Sequence, residues 1–443
     1  MSNYAQEIIS ESVLAHKQMI QKRRRDLVNR YLDYYDGDNT YKYIKNRFKA
    51  ETFKEVPPSC FNITKRFIER LSRLYTGRGA IRNVNDKYNN LTLMKNAKMA
   101  HIERMTRLIG TIANRVVMKY DRNEKPYFDY YPLYYFDAFF GDDPFNPIAI
   151  MHPLLNNVYD ISDTQNPKWA YWDDTNYIIY DEDGNIEKQT PHGLDVLPFV
   201  FTHRNVQMDD FIVSGSYDII SCNENINILL TEANLGMRFQ MFGQPVATGM
   251  YSDENVQRYG SDEMLILPEG SNFNIISPQG QVQDAIELCK HELDICAQNN
   301  HLYVQFAQDG GEVPSGVALK IKDLERYEDW QSDLPLWEGY EHQFFEMEKM
   351  IASIHNINIS GELKLDFTEP EYPKTAQDQI LLDTFALEQN MTTQAKLMVK
   401  YNKDLTIEEA QAIIDENKKV NEIGKPESIQ SAFNRIRQRP TES

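Results

Sequence analysis

The sequence predicts an α+β fold that is mainly α, on three observations. Long stretches repeat apolar residues at steps of three and four, which puts them on one face of a helix. From about Val117 to Phe201 the chain instead alternates aromatic and polar residues between turn residues, the pattern of short strands. Finally, a glycine- and proline-rich stretch, Gln305 to Lys322 ("QFAQDGGEVPSGVALKIK"), separates two of the longest helical runs.

The first helical run extends from Tyr4 to Tyr35 and stops at Gly37 in "DGDN". Within it, Lys22, Arg23, Arg24 and Arg25 are expected on a solvated face, with a nucleic-acid contact as the alternative. After "EVPPSCFN" a second helix spans about Ile63 to Tyr75, and a third apolar-periodic run spans about Leu93 to Val117. In the β-rich region Tyr177 to Tyr180, a turn at Asp183-Gly184 and a return strand from Asn185 form a hairpin. Its acids lack the ligand spacing of a calcium loop.

Helix resumes at "SGSYDIISCNENINILLTEANLGMRFQMF", where Ile219, Cys222, Ile226, Leu230, Ala233 and Met237 draw one stripe and Ser216 is the expected N-cap. A turn-rich insert, Gln244 to Gly280, contains short β runs such as "EMLILP". The next helix, Gln281 to about Val304, carries Val282, Ile286, Cys289, Leu293 and Cys296 on one face. A longer stripe follows from Val317 through Trp330, Trp337, Phe344 and Ile351 to Ile354. Pro335 lies in its middle with Gly339 one turn on, so the helix is expected to kink there rather than divide. "GELKLDF" is a strand, and two terminal helices follow, the second opened by the capping box Thr406/Glu409. The remaining tail is basic through Arg435, Arg437 and Arg439.

Composition bounds the function. Apolar residues make up 41% and aromatics 12%, with 26 tyrosines, enough to build a sizeable core. A formal net charge of -19 opposes tight sequence-independent binding to nucleic acid, which depends on lysine and arginine neutralising phosphates. The four cysteines, Cys60, Cys222, Cys289 and Cys296, lack zinc-ligand spacing and are expected to be buried thiols. The first residues lack a signal-peptide layout, and no apolar run approaches the roughly 18 residues of a membrane helix. An intracellular, soluble product with no membrane partner is the expectation.

No catalytic constellation emerges. The histidines are dispersed, with His291 and His301 on one helix but too far apart to share a metal, and the pairs Asp142-Asp143 and Asp173-Asp174 sit in turns. No enzyme activity, cofactor or metal is expected. The glycine-rich stretch does place Gly311 and Gly316 at the outer spacing of a phosphate-binding loop. Such a loop needs lysine directly after its last glycine and a strand before it. Here Val317 follows Gly316, Lys320 comes later, and the preceding residues are helical in pattern. A mobile loop between two anchored helices fits better: Gly310, Gly311 and Gly316 permit positive φ, Pro314 blocks helix extension, and Ser315 can cap the next helix. An ordinary surface turn is the plain alternative.

Taken in order, the parts resemble the portal (head-to-tail connector) proteins of tailed bacteriophages over nearly the whole chain. "RYLDYYDGDN" with "NITKRFIERLSRLYTGRG" is similar to the family's N-terminal opening, and "YDEDGNIEKQTPHGLDVLPFVFTHRN" to its hairpin and following strand. "PSGVALKIKDLE" resembles the start of its channel-lining helix, and "LKLDFTEPEYPKTAQDQI" with "NKDLTIEEAQAIIDEN" its return to the body.

The resemblance implies a wing over residues 1–208, completed by a kinked channel helix and return strand at 317–373. Stem helices would occupy 209–243 and 281–306, with a small β-containing clip at 244–280 between them. A tunnel loop at 307–316 would present Gln308, Asp309, Gly310, Gly311, Glu312, Val313, Pro314, Ser315 and Gly316, and a short helical crown and tail would fill 374–443. It further implies a homo-oligomeric ring, a dodecamer, at one capsid vertex of the virion, assembled in the host cytoplasm. Double-stranded DNA would pass through during packaging and ejection. The terminase large subunit, neck or adaptor proteins and the major capsid protein would be the other partners. Lys290, Lys320 and Lys322 are candidates for brief DNA contact, with ordinary helix-surface lysines as the alternative. A minor capsid or adaptor protein and a divergent P-loop-like nucleotide hydrolase are the competing functions.

Overall fold

At Gly110 the chain changes both direction and secondary structure. A computed structural model describes residues 19–49, 57–77, 79–154, 168–181, 184–242, 244–248, 272–276, 282–304, 324–369, 376–402 and 405–423. The fold is mixed α and β, with helix the larger part. Of the described residues, 19–304 and 324–369 belong to one compact unit and 376–423 to a second.

In the first unit, helix α1 (Met19–Asp36) buries Val28, Tyr31, Leu32, Tyr34 and Tyr35. It ends at Gly37, whose φ of +86° lets its N–H return to the Asp33 carbonyl at 2.8 Å. Asp33 also accepts hydrogen bonds from Asn39 and from Tyr43 of α2 (Thr40–Lys45), both at 2.8 Å. Helix α3 (Ile63–Leu71) is capped by Asn62, whose side-chain Oδ1 accepts from Lys65 N–H at 3.0 Å. Strand β1 (Ala80–Asn83), α4 (Asp86–Leu91) and α5 (Lys95–Ile109) complete the N-terminal part.

The third helical run is shorter than its periodicity predicts. α5 stops at Ile109, and Gly110 at φ +102° turns the chain into strand β2 (Thr111–Tyr120). A Cβ at Gly110 would lie 2.1 Å from the Val213 carbonyl oxygen, so glycine is required sterically as well as conformationally. The sequence hid this boundary because Thr111 to Asn114 are all buried. A strand covered on both faces lacks the alternation that distinguishes it from helix.

β2 is the centre of an antiparallel three-stranded sheet between β3 (Pro126–Leu133) and β9 (Phe199–His203). A five-stranded antiparallel meander runs in order through β4 (Asp137–Phe140), β5 (Pro147–Leu154), β6 (Lys168–Trp172), β7 (Asn176–Tyr180) and β8 (Ile186–Pro191). The expected hairpin is its last step, with Gly184 at φ +84° in the turn. Phe136, Ile150, Ala170 and Trp172 meet Ala113, Phe199 and Phe211 in one apolar cluster that joins the two sheets.

Helices α6 (Tyr217–Phe242) and α7 (Val282–Asn299) flank a two-stranded antiparallel pair, β10 (Gln244–Thr248) with β11 (Asn272–Ile276). The long helix α8 (Leu324–Ile354) buries Trp330, Trp337, Tyr340, Phe344, Met347 and Ile351, the middle of the expected stripe, in the main core, while Leu324 and Ile354 at its ends are exposed. It is followed by strand β12 (Lys364–Phe367), which pairs with β1. The "EMLILP" strand lies outside the described residues.

In the second unit, α10 (Gln394–Tyr401) and α11 (Ile407–Ile423) enclose a small core of Ala395, Ala410 and Ile414, and α9 (Ala376–Glu388) meets α10 through Asp383, which accepts from Lys400 Nζ at 3.0 Å. The capping box forms as expected: Glu409 N–H donates to Thr406 Oγ1 at 3.3 Å, and Thr406 N–H donates to Glu409 Oε2 at 2.8 Å. Among the described residues no helix is long and apolar enough to cross a membrane.

Candidate functional site

The α6–β10/β11–α7 excursion and the long helix α8 are the parts that the sequence singles out, so how each is fixed to the body decides what the unit can do. At the start of α6, Ser216 occupies the expected N-cap position, but its hydroxyl donates to the Arg107 carbonyl at 2.9 Å and accepts from Arg204 at 3.3 Å. It ties α6 to α5 instead of capping its own helix. Gly215 permits that approach, since a Cβ there would lie 2.3 Å from the Leu108 carbonyl oxygen.

Farther along α6, Asn223, Asn227 and Thr231 sit four residues apart and are all buried. They form a polar rail for the extended segment before α3. Asn227 accepts from Phe61 N–H at 2.7 Å and donates to the Phe61 carbonyl at 2.9 Å. Asn223 donates to Thr64 Oγ1 at 2.9 Å, and Thr231 accepts from Ser59 N–H at 2.9 Å. Each such bond contributes about 1 kcal/mol net, and an orphaned partner costs more. Glu224, next to the rail, binds Arg30 of α1 and, at 2.9 Å, Arg47. On its other side α6 packs against α7 through a cluster that includes Ile219, Cys222, Ile226, Cys289, Cys296 and Ala297. The Cys222 thiol donates to the Glu292 carbonyl at 3.8 Å, and Cys296 and burial push its pKa up. Cys60, expected to be buried, is exposed, between the Ser59 and Phe61 backbone groups that the rail binds.

Helix α8 is fixed by charge inside the core. Glu341 accepts Arg82 Nη2 at 2.5 Å, Arg82 Nε at 2.8 Å and the Tyr75 hydroxyl at 2.8 Å, with Lys95 Nζ at 3.2 Å. One turn-pair later, Glu348 accepts Lys95 at 2.7 Å and the hydroxyls of Tyr88 and Tyr130 at 2.7 and 2.6 Å. Lys95, Glu341 and Glu348 are fully buried. Burial alone would raise the Glu341 carboxyl, but Lys95 and Arg82, with hydrogen bonds from Arg82 and Tyr75, hold it down at about 2. Burial and the adjoining carboxylates push Tyr75, Tyr88 and Tyr130 well above the usual phenol range, so they stay neutral donors. Two cations balance two anions and the polar atoms are mutually paired. This arrangement fixes a helix and offers no open face for a substrate. Nearby, Arg107 of α5 pairs with Asp333 of α8.

Where the expected functional residues lie is uneven. Gln308, Asp309, Gly310, Gly311, Glu312, Val313, Pro314, Ser315, Gly316, Lys320 and Lys322 fall outside the described residues. Lys290 is on α7, partly buried and already engaged in an interaction. Pro335 lies inside α8, which continues as helix on both sides, while a Cβ at Gly339 would meet nothing within 4 Å. The basic run of α1 is not wholly a solvated face: Arg24 is turned inward, its guanidinium 5.5 Å from the Tyr135 ring centroid and 5.7 Å from that of Phe136.

Sequence reasoning missed Glu341, Glu348 and the α6 rail. Each had a signal: two carboxylates seven apart beside the apolar stripe of α8, and polar residues at four-residue intervals on α6. Among the described residues no group of three or more His, Cys, Asp or Glu could hold a metal ion. No protein-family model matches the chain, and no curated protein matches it.

Proposed function

We propose that the chain is the subunit of a portal ring, the channel for viral DNA at one capsid vertex and the docking site for a packaging motor and neck proteins. The observation that carries this is the order of parts in the first unit. A helix leaves the body, a small antiparallel strand pair follows, a second helix packs back against the first, and a 31-residue helix then crosses the body before a strand returns to β1.

In this role α6 and α7 are the stem and the β10/β11 region the clip. The wing supplies a rigid mount, since the Asn223–Asn227–Thr231 rail and the Glu341/Glu348 charges hold the stem and α8 to it. A ring of subunits each carrying -19 surrounds the duplex with a field that opposes phosphate binding, so DNA slides rather than adheres. Residues 307–316 form the tunnel loop that grips by shape, with Lys290, Lys320 and Lys322 as transient contacts. ATP hydrolysis belongs to a separate terminase.

Negative-stain images of the purified protein test this: rings with a central hole are expected. Particles lacking a hole indicate another head component. Specific nucleotide binding by the chain alone indicates a hydrolase.

A further inference from the structure

Arg115 departs from the way this unit treats most of its partly buried arginines. Arg82 is paired with Glu341, Arg107 with Asp333 and Arg30 with Glu224. Arg24 and Arg204, which burial also lowers in pKa, have Asp137 and Asp210, or Asp218 and Asp333, close enough to act on them. Among the described residues Arg115 makes no hydrogen bond and no ion pair. The ionisable groups that raise its pKa are two tyrosines, Tyr177 and Tyr131, against a burial that lowers it. His152 adds no charge, because burial pushes its pKa down to about 4.

The guanidinium is nevertheless held in place. Its carbon lies 4.3 Å from the Trp172 ring centroid, and Trp172 stacks on Tyr177 with centroids 4.1 Å apart. Trp172 is 3% exposed and its indole N–H donates to His152 Nε2 at 3.3 Å, so this shelf cannot swing away. The β2 register sets Arg115 opposite Tyr131 on β3 and Phe199 on β9, which fixes the other flanks. Four residues along the same strand face, Lys119 is already satisfied by Asp129 at 2.8 Å. A guanidinium held over an indole still carries edge N–H groups in the planar fork that fits a carboxylate with two parallel bonds, and those of Arg115 bond no described residue.

We propose that Arg115 on its Trp172–Tyr177 shelf is a receptor for a carboxylate presented by a neighbouring copy of this chain. The inference rests on the ring proposed above. Closing a ring sets one surface of each copy against another surface of the next, and a chain with 66 acidic against 47 basic residues supplies carboxylates in excess. The same acidic balance disfavours a nucleic-acid phosphate as the ligand.

The test compares the full-length wild type with Arg115→Gln and Arg115→Lys. Ring fraction is followed by light scattering and negative stain over a sodium chloride series, with circular dichroism melts as the check on folding. Wild-type rings are expected to persist to severalfold higher salt than Arg115→Gln rings. Arg115→Lys, which keeps the charge but loses the fork, is expected to recover only part of the difference, and it carries the comparison if the glutamine variant misfolds. Equal salt resistance of wild type and both variants overturns the carboxylate receptor while leaving the ring intact. Absence of wild-type rings overturns the ring and this inference with it. Reduced binding of duplex DNA by the variants, with ring stability unchanged, assigns the shelf to phosphate and overturns the proposal.

Discussion

Glu341→Gln isolates the force that mounts α8. In the native core Arg82 and Lys95 face Glu341 and Glu348, two charges against two. The substitution keeps an oxygen to accept the Tyr75 hydroxyl but leaves one uncompensated cation in a fully buried site. Breaking a buried pair in this way costs about 3–5 kcal/mol. A second route gives a similar figure. The Glu341 carboxyl is held at about 2 against an ordinary 4.5, a difference worth roughly 3 kcal/mol at about 1.4 kcal/mol per unit.

The assay is urea unfolding followed by tryptophan fluorescence, since Trp330 and Trp337 are buried on the same helix. A loss of about 3 kcal/mol is expected at neutral pH. The sign of the pH dependence follows from the depressed pKa. The Glu341 contribution is complete above about 4.5 and is lost as pH falls towards 2, so the wild type should converge on the variant in acid. Adding Lys95→Met leaves Arg82 and Glu348 as one cation and one anion, so the double variant should be less damaged than the sum of the singles by at least about 1 kcal/mol. A glutamine variant within about 0.5 kcal/mol of wild type, or strictly additive losses, would refute electrostatic mounting of the helix.

Further outcomes concern the rest of the body and the loop. Glu103 is fully buried and accepts Leu74 N–H at 3.1 Å; burial raises its pKa to about 7 against the backbone N–H groups and Arg107. With the folded pKa raised, stability falls as pH rises from about 4.5 to 7, and Glu103→Gln should add roughly 3 kcal/mol at pH 8 and little near pH 4, read from thermal melts. Gly110→Ala forces both a positive φ and a 2.1 Å contact with Val213, so a loss of more than about 2 kcal/mol is expected in the same melts. Replacing Gly310, Gly311 and Gly316 by alanine should leave rings intact and impair DNA packaging or retention; normal packaging would remove the gating role from that loop.

Features written in local chemistry were legible in the sequence. The β7–β8 hairpin turning at Gly184, the β12 strand and the Thr406/Glu409 box depend on a few adjacent residues, as does the stop at Gly37. The end of α5 was not legible, because Thr111 to Asn114 are covered on both faces and preserve the three-and-four spacing across Gly110. The mounting charges were half legible. Glu341 and Glu348 lie beside an apolar stripe, but their partners Arg82, Lys95, Tyr75, Tyr88 and Tyr130 come from segments far away in sequence. Arg24 was misjudged for a related reason: a run of four cations reads as a solvated face, and only the fold brings Tyr135 and Phe136 beneath one of them.

The most direct test of the central claim is an electron cryomicroscopy map of the purified assembly, read for the position of residues 308–316. A closed ring with these residues lining its bore is the predicted result. The same residues on the outer perimeter, or an assembly without a bore, would contradict it.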